Sequence, residues 1–257
     1  MVQYEGVGSG VPLGPGGEGG PGPITSDREV LMPRLIAVFA LSVALYGCVK
    51  KVELGEARKL NARGVELLER DRAHEAVRAF KGALEAAPQY LKAKVNLGIA
   101  LYRAGQLKRA ERVLREVLEG VEDQRNALYV LGLVYKAQGK YPGAVEVFEK
   151  VIQLDPQDHY SYYNLGVLYD KMDRPEEAVR AFRKVVDLNP QNTAAHYNLG
   201  RLLLRVGREE EGRRELEVFR GLQEEVADTS TGYASGYASG YAASYLEQSR
   251  YARPIPE

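Results

Sequence analysis

Among residue types that form or break covalent bonds, the chain has one cysteine, Cys48, and three histidines, His74, His159 and His196. The histidines have no cysteine partner and no metal-ligand spacing. A lone cysteine excludes an internal disulfide and any cysteine-based metal cluster. Acidic pairs such as Glu176-Glu177 open helices, where they complement the N-terminal dipole. The glycines are spread at a repeat spacing and form no phosphate loop. With 35 basic against 35 acidic residues, nothing draws nucleic acid or an anionic surface by bulk charge. No catalytic constellation, cofactor site or small-molecule site is legible, so the chain reads as a non-enzyme. Two kinds of chemistry remain. Cys48 could take a covalent group, and tyrosines, asparagines and cations at regular spacing could grip a peptide.

The elements that carry those residues follow a 34-residue grid. Gly64, Gly98, Gly132, Gly166 and Gly200 lie on it without insertion. Leu97, Leu131, Leu165 and Leu199 precede their glycines, and Ala76, Ala110, Ala144 and Ala178 come twelve after theirs. Phe80, Leu114, Phe148, Phe182 and Leu216 come sixteen after, and Pro88, Pro156 and Pro190 close three units. A fixed period of this length predicts a solenoid of stacked supersecondary units. Each unit reads as two helices separated by Asp71, Gly105, Gly139, Asp173 or Gly207, residues suited to the left-handed region at a helix end. Pro142 and Pro175 open two of the second helices, where a missing N–H costs little.

On this grid the chain resembles the tetratricopeptide repeat family, over roughly residues 57–226. The resemblance implies an all-α, right-handed solenoid of five helix-turn-helix units (57–90, 91–124, 125–158, 159–192 and 193–226), about ten helices. Arg63 stands where Leu is usual, Gly212 where Ala is usual, and Glu122 and Glu224 where Pro is usual. The dense Glu and Arg of 209–228 suit a polar terminal cap.

The resemblance also implies a concave groove lined by positions two, five, six, nine, twelve and thirteen of each first helix. Position five gives a ladder of Tyr129, Tyr163 and Tyr197; position six gives Asn96, Asn164 and Asn198. Position two gives Lys92 and Tyr160, and position nine Arg201. Positions twelve and thirteen give Tyr102, Arg103, Lys136, Lys171 and Arg205. Ring faces, side-chain amides and cations suit a peptide or protein segment, since Tyr and Arg are frequent hot-spot residues. The alternative, that Tyr and Asn here serve interhelical packing, stays open at this point. His196 is expected to pack. The Lys and Asn carboxylate clamp of the chaperone-binding subset is not reproduced, because Asn61 and Val65 occupy its first two positions.

Outside the repeats the composition changes twice. Residues 1–31 are rich in Gly and Pro and are expected to be disordered. Met32-Pro33-Arg34 precedes the uncharged run Leu35–Leu45, which is shorter than the roughly 20 residues a bilayer span needs. A basic residue, a short apolar run and a small residue before the junction are marks of a signal peptide, here 32–47. Leu45-Tyr46-Gly47-Cys48 resembles the bacterial lipobox, with Tyr46 where a small residue is commoner. That resemblance implies a diacylglyceryl thioether on Cys48, a linker over 48–56, and, from Val49, sorting to the outer rather than the inner membrane. Translation from Met32 would place this signal at the N-terminus, so 1–31 are expected to be an over-long start. An uncleaved anchor or ordinary export with an incidental cysteine are the competing readings. At the other end, 227–257 repeats Gly-Tyr-Ala-Ser, and its glycines predict a flexible tail, with docking of Tyr233, Tyr237, Tyr241 and Tyr245 as the alternative.

The expected function is therefore a protein-binding scaffold, lipid-anchored in the cell envelope and facing the periplasm, that serves assembly of an envelope complex. An accessory subunit of an exported enzyme or transport complex is the second reading, and a soluble cytoplasmic adaptor the third. Partner capture separates the first two; retention of the apolar run would mark the last.

Overall fold

Helix starts recur at the period seen in the glycines. In the computed structural model, which describes residue 39, residues 53–229 and residues 252–256, first helices begin at Leu91, Arg125, His159 and Thr193, each 34 after the last. In order these are α1 (residues 53–69), α2 (Ala73–Ala86), α3 (Leu91–Arg103), α4 (Leu107–Gly120), α5 (Arg125–Ala137), α6 (Tyr141–Leu154), α7 (His159–Lys171), α8 (Pro175–Leu188), α9 (Thr193–Arg205) and α10 (Glu209–Thr229). No strand occurs among the described residues, and none of their helices is long and apolar enough to cross a membrane. The chain divides into Met1–Lys50 and Lys51–Glu257, and these ten helices lie in the second unit.

Local chemistry sets the turn of each hairpin and the start of three of them. Asp71, Gly105, Gly139, Asp173 and Gly207 all have positive φ, between 56° and 79°, and turn the chain between paired helices. Glycine reaches this region without Cβ strain, and Asp is among the few other residues that tolerate it. A second periodic device lies at Gln124, Asp158 and Asn192. Their side chains accept from Ala127 N (2.8 Å), Ser161 N (3.1 Å) and Ala195 N (3.0 Å), capping α5, α7 and α9.

Packing within a unit rests on the glycine and its partner sixteen residues on. A Cβ on Gly64, Gly98, Gly132, Gly166 or Gly200 would lie 2.5–2.8 Å from Phe80, Leu114, Phe148, Phe182 or Leu216 respectively. Those large side chains therefore lie against bare helix backbone. Ala76, Ala110, Ala144 and Ala178 are fully buried beside them. Gly212, which replaces the usual Ala, has a local cause. Its Cβ would approach Gly200 O and Leu204 Cγ to 2.9 Å, so α9 and α10 lie closer than an alanine permits. Arg63, which replaces the usual Leu, is exposed and pairs with Glu66 at 2.8 Å. One cluster of buried residues extends from Leu67 to Ala181 and takes in Ala252, and a second runs from Tyr163 to Leu203. Tyr160 and Tyr169 touch both and join them.

Three boundaries differ from the sequence reading. The first helix begins at residue 53, inside the expected linker 48–56. The last helix continues to Thr229, past the expected unit limit at 226. Ala252–Pro256, expected within a flexible tail, lies against the first helices, with Ala252 buried in the larger core. The reason is chemical: this short stretch is Ala-Arg-Pro-Ile-Pro, apolar and proline-restricted, unlike the Gly-Tyr-Ala-Ser repeats before it. The start assignment, the signal peptide apart from residue 39, Cys48 and the tyrosines at 233, 237, 241 and 245 lie outside the described residues.

Candidate functional site

A buried amide at the centre of α3 organises the concave face. Asn96 is fully buried, and its Nδ2 donates to Asn61 Oδ1 on α1 at 2.9 Å. The other Nδ2 hydrogen reaches Ile255 O at 2.9 Å, and Ile255 N donates to Asn96 Oδ1 at 2.6 Å. Both backbone groups of one residue are thus read by one side chain, as a neighbouring strand would read them. The backbone N–H and C=O of Ile255 fix the sense of the Asn96 amide, since the flipped form would set oxygen against oxygen and N–H against N–H. Lys92, one turn earlier on the same face, donates to Pro256 O at 2.9 Å. Farther along, the Arg253 charge lies near Tyr160, whose hydroxyl burial pushes up and that cation pulls down. The occupied groove runs from the second unit to the fourth.

The tyrosine ladder has a different role from the expected ring faces. Tyr129 and Tyr163 are buried, at 0% and 1% exposure. Each meets the large residue of its own unit edge-on: Tyr129 with Phe148 at 5.4 Å, Tyr163 with Phe182 at 5.3 Å. Their hydroxyls accept from the next unit, from Asn164 Nδ2 and Asn198 Nδ2, both at 3.2 Å. The same nitrogens also donate one turn back, to Tyr160 O and Ala194 O. Tyrosine at position five and asparagine at position six of the following unit therefore stitch adjacent units together. Burial pushes the Tyr163 hydroxyl up to about 12. Tyr197 alone of the three keeps an open face, 39% exposed, with its ring 5.3 Å from Phe219. Position five points between helices because the fifth residue meets the unit's own second helix; only the last rung is left uncovered.

The cations are likewise engaged. Asp170 binds Arg201 at 2.5 Å and Arg205 at 2.9 Å, so two expected groove cations and one acid form a single ionic cluster. Lys136 donates to Asn164 Oδ1 at 2.6 Å, and burial holds its ammonium down at about 8. Arg103 donates to Leu68 O at 3.2 Å, Lys171 is exposed, and Tyr102 packs half-buried against the core. His196 is buried, between Glu215 (2.7 Å) and Pro190 O (3.0 Å), in a packing position. Asn61 and Asp170, both central to these contacts, escaped the sequence reading. Asn61 stands in the sequence only as part of an incomplete clamp, and the residues equivalent to Asp170 in the other units are Leu68, Tyr102, Lys136 and Leu204, with no acid among them. Among the described residues, no group of three or more His, Cys, Asp or Glu could hold a metal ion.

Comparison with known proteins agrees with this architecture. Four family models described as TPR or tetratricopeptide repeat match residues 67–132, 132–173, 159–192 and 181–214. Among solved structures, "MamA RS-1 ArsTM double mutant" is 26% identical, with a TM-score of 0.63 over 67% of this chain and 97% of that one. "MamA 41-end from Desulfovibrio magneticus RS-1" is 28% identical, with a TM-score of 0.62 over 67% and 98%. "Crystal structure of MamA protein", at 22% identity and a TM-score of 0.61 over 70% and 98%, shares the fold. A search of functionally curated proteins returned no match.

Proposed function

We propose that this chain of tetratricopeptide repeats is a protein-interaction scaffold, tethered to a membrane through a lipid on Cys48, whose concave face takes an extended segment of a protein partner. The observation that carries the reading is Asn96, which pairs with both backbone groups of Ile255 from a fully buried position. An amide held this way suits any extended backbone and leaves selectivity to the side chains beside it. The repeats and their structural relatives support the scaffold role. The apolar run 35–45, Gly47-Cys48 and Val49 support lipid anchoring in the cell envelope, outer membrane before inner, with the groove facing the periplasm and serving an envelope assembly.

Two readouts test the two halves. Intact mass of the membrane-extracted protein should match Cys48–Glu257 plus acyl chains, and Cys48→Ser should stay unprocessed. A mass that still contains Met32 rejects the anchor. A photo-crosslinking residue at Lys92 should capture one partner in membranes, while the same residue at exposed Arg112 of α4 should not. Equal capture from both positions rejects the groove.

A further inference from the structure

The segment 252–256 has the properties of a ligand rather than of a strap. Its sequence is Ala-Arg-Pro-Ile-Pro, and Arg253 and Ile255 each precede a proline, which drives both toward extended backbone. The prolines carry no N–H, so Ile255 offers the single backbone donor between residues 254 and 256. Asn96 takes that donor. Fixed φ at both flanks also lowers the entropy lost on docking, as in proline-rich recognition generally. Ile255 packs half-buried against the main core, and Ala252 is 5% exposed within it. Lys92, which holds Pro256 O, also lines a cavity of about 680 Å³ with Arg58, Lys59, Ala62, Tyr90 and Leu91.

We propose that Ala252–Pro256 is a tethered ligand of the groove, and that an outside partner binds by presenting the same chemistry and displacing it. The partner segment is an extended aliphatic residue between two prolines, preceded by a basic residue. This rests on reading the concave face as a peptide groove and adds what the groove selects. The connection from Thr229 to Ala252 runs through residues 230–251, whose 22 residues have a maximal reach of about 70–80 Å. Tethering makes the segment compete at an effective concentration near the millimolar range.

The test uses the full chain and a labelled synthetic peptide spanning residues 250–257, read by fluorescence anisotropy. Ile255→Asp lies outside every helix, so unchanged helicity is expected and is checked by circular dichroism. Ile255→Asp should bind the peptide at least 10-fold more tightly than the wild-type chain does. Adding Asn96→Ala to that variant should abolish the gain, and a peptide with Asp in place of the isoleucine should bind neither chain. Equal affinity for wild type and Ile255→Asp, or no binding by either, overturns the proposal. So does a wild-type dimer that becomes monomeric in Ile255→Asp, because the segment then belongs in a second copy. If crosslinking from Lys92 still captures a partner while the peptide binds neither chain, the tethered ligand fails and the groove stands.

Discussion

Lys136 stands near the middle of the concave face, and its ammonium meets an amide oxygen, that of Asn164. Burial lowers it from 10.5 to about 8, so between those values the folded state binds fewer protons than the unfolded chain. Stability therefore rises with pH across that window and is lowest below about 8, where the desolvated charge is fully present. Lys136→Met should be the more stable form at pH 7. The wild type should recover on the order of 1–3 kcal/mol relative to it by pH 10.5, read from urea midpoints. Taking the difference cancels Tyr163 and Tyr169, whose hydroxyls are pushed up to about 12 and act in the opposite sense. A flat difference would mean that the ammonium keeps its water. At this scale the sequence was only half legible. Asp173 and the turn glycines were readable because a positive φ admits few residue types. The burial of Tyr163 was not, because a tyrosine one residue from the groove and one inside it look alike until helix rotation is known.

Between paired helices, the bare backbone of one glycine receives a large side chain from the next helix. Gly132→Ala puts a Cβ 2.8 Å from Phe148, and overpacking of about 1–3 kcal/mol outweighs the roughly 1 kcal/mol that alanine adds to a helix. Gly221→Ala, inside α10 with nothing within 4 Å, should instead gain up to about 1 kcal/mol. The same substitution thus changes sign between two helices, and thermal midpoints of the two variants check it. Loss in both would place an unseen neighbour over Gly221. Pairs such as Gly132 and Phe148 were legible because their spacing repeats. The caps at Gln124, Asp158 and Asn192 were not, because three different residue types do one job. Gly212 looked like a departure and is a closer helix pair.

Across the molecule, each unit leans only on its neighbours, so stability is a chain of local terms. Helices α3 to α8 have a unit on either side; α1 and α10 lie at the ends of the described run. Amide hydrogen exchange should be slowest in α3–α8 and fastest in α1 and α10. Uniform protection would indicate one cooperative body instead. The solenoid was legible from its period alone, because no insertion breaks the grid. The seating of residues 252–256 was not, since contacts such as Asn96 to Ile255 join positions 159 apart.

One amide, Asn96, is shared by three parties: Asn61 on the first helix, its own helix α3, and the occupying backbone. Whatever fills the groove is therefore bolted across the joint between the first two units. An empty groove leaves that joint to its apolar core and the Asn61–Asn96 pair; a filled one adds a splint. Occupancy thus becomes stiffness, and a pull on the N-terminal end would meet a harder spring when the groove is full.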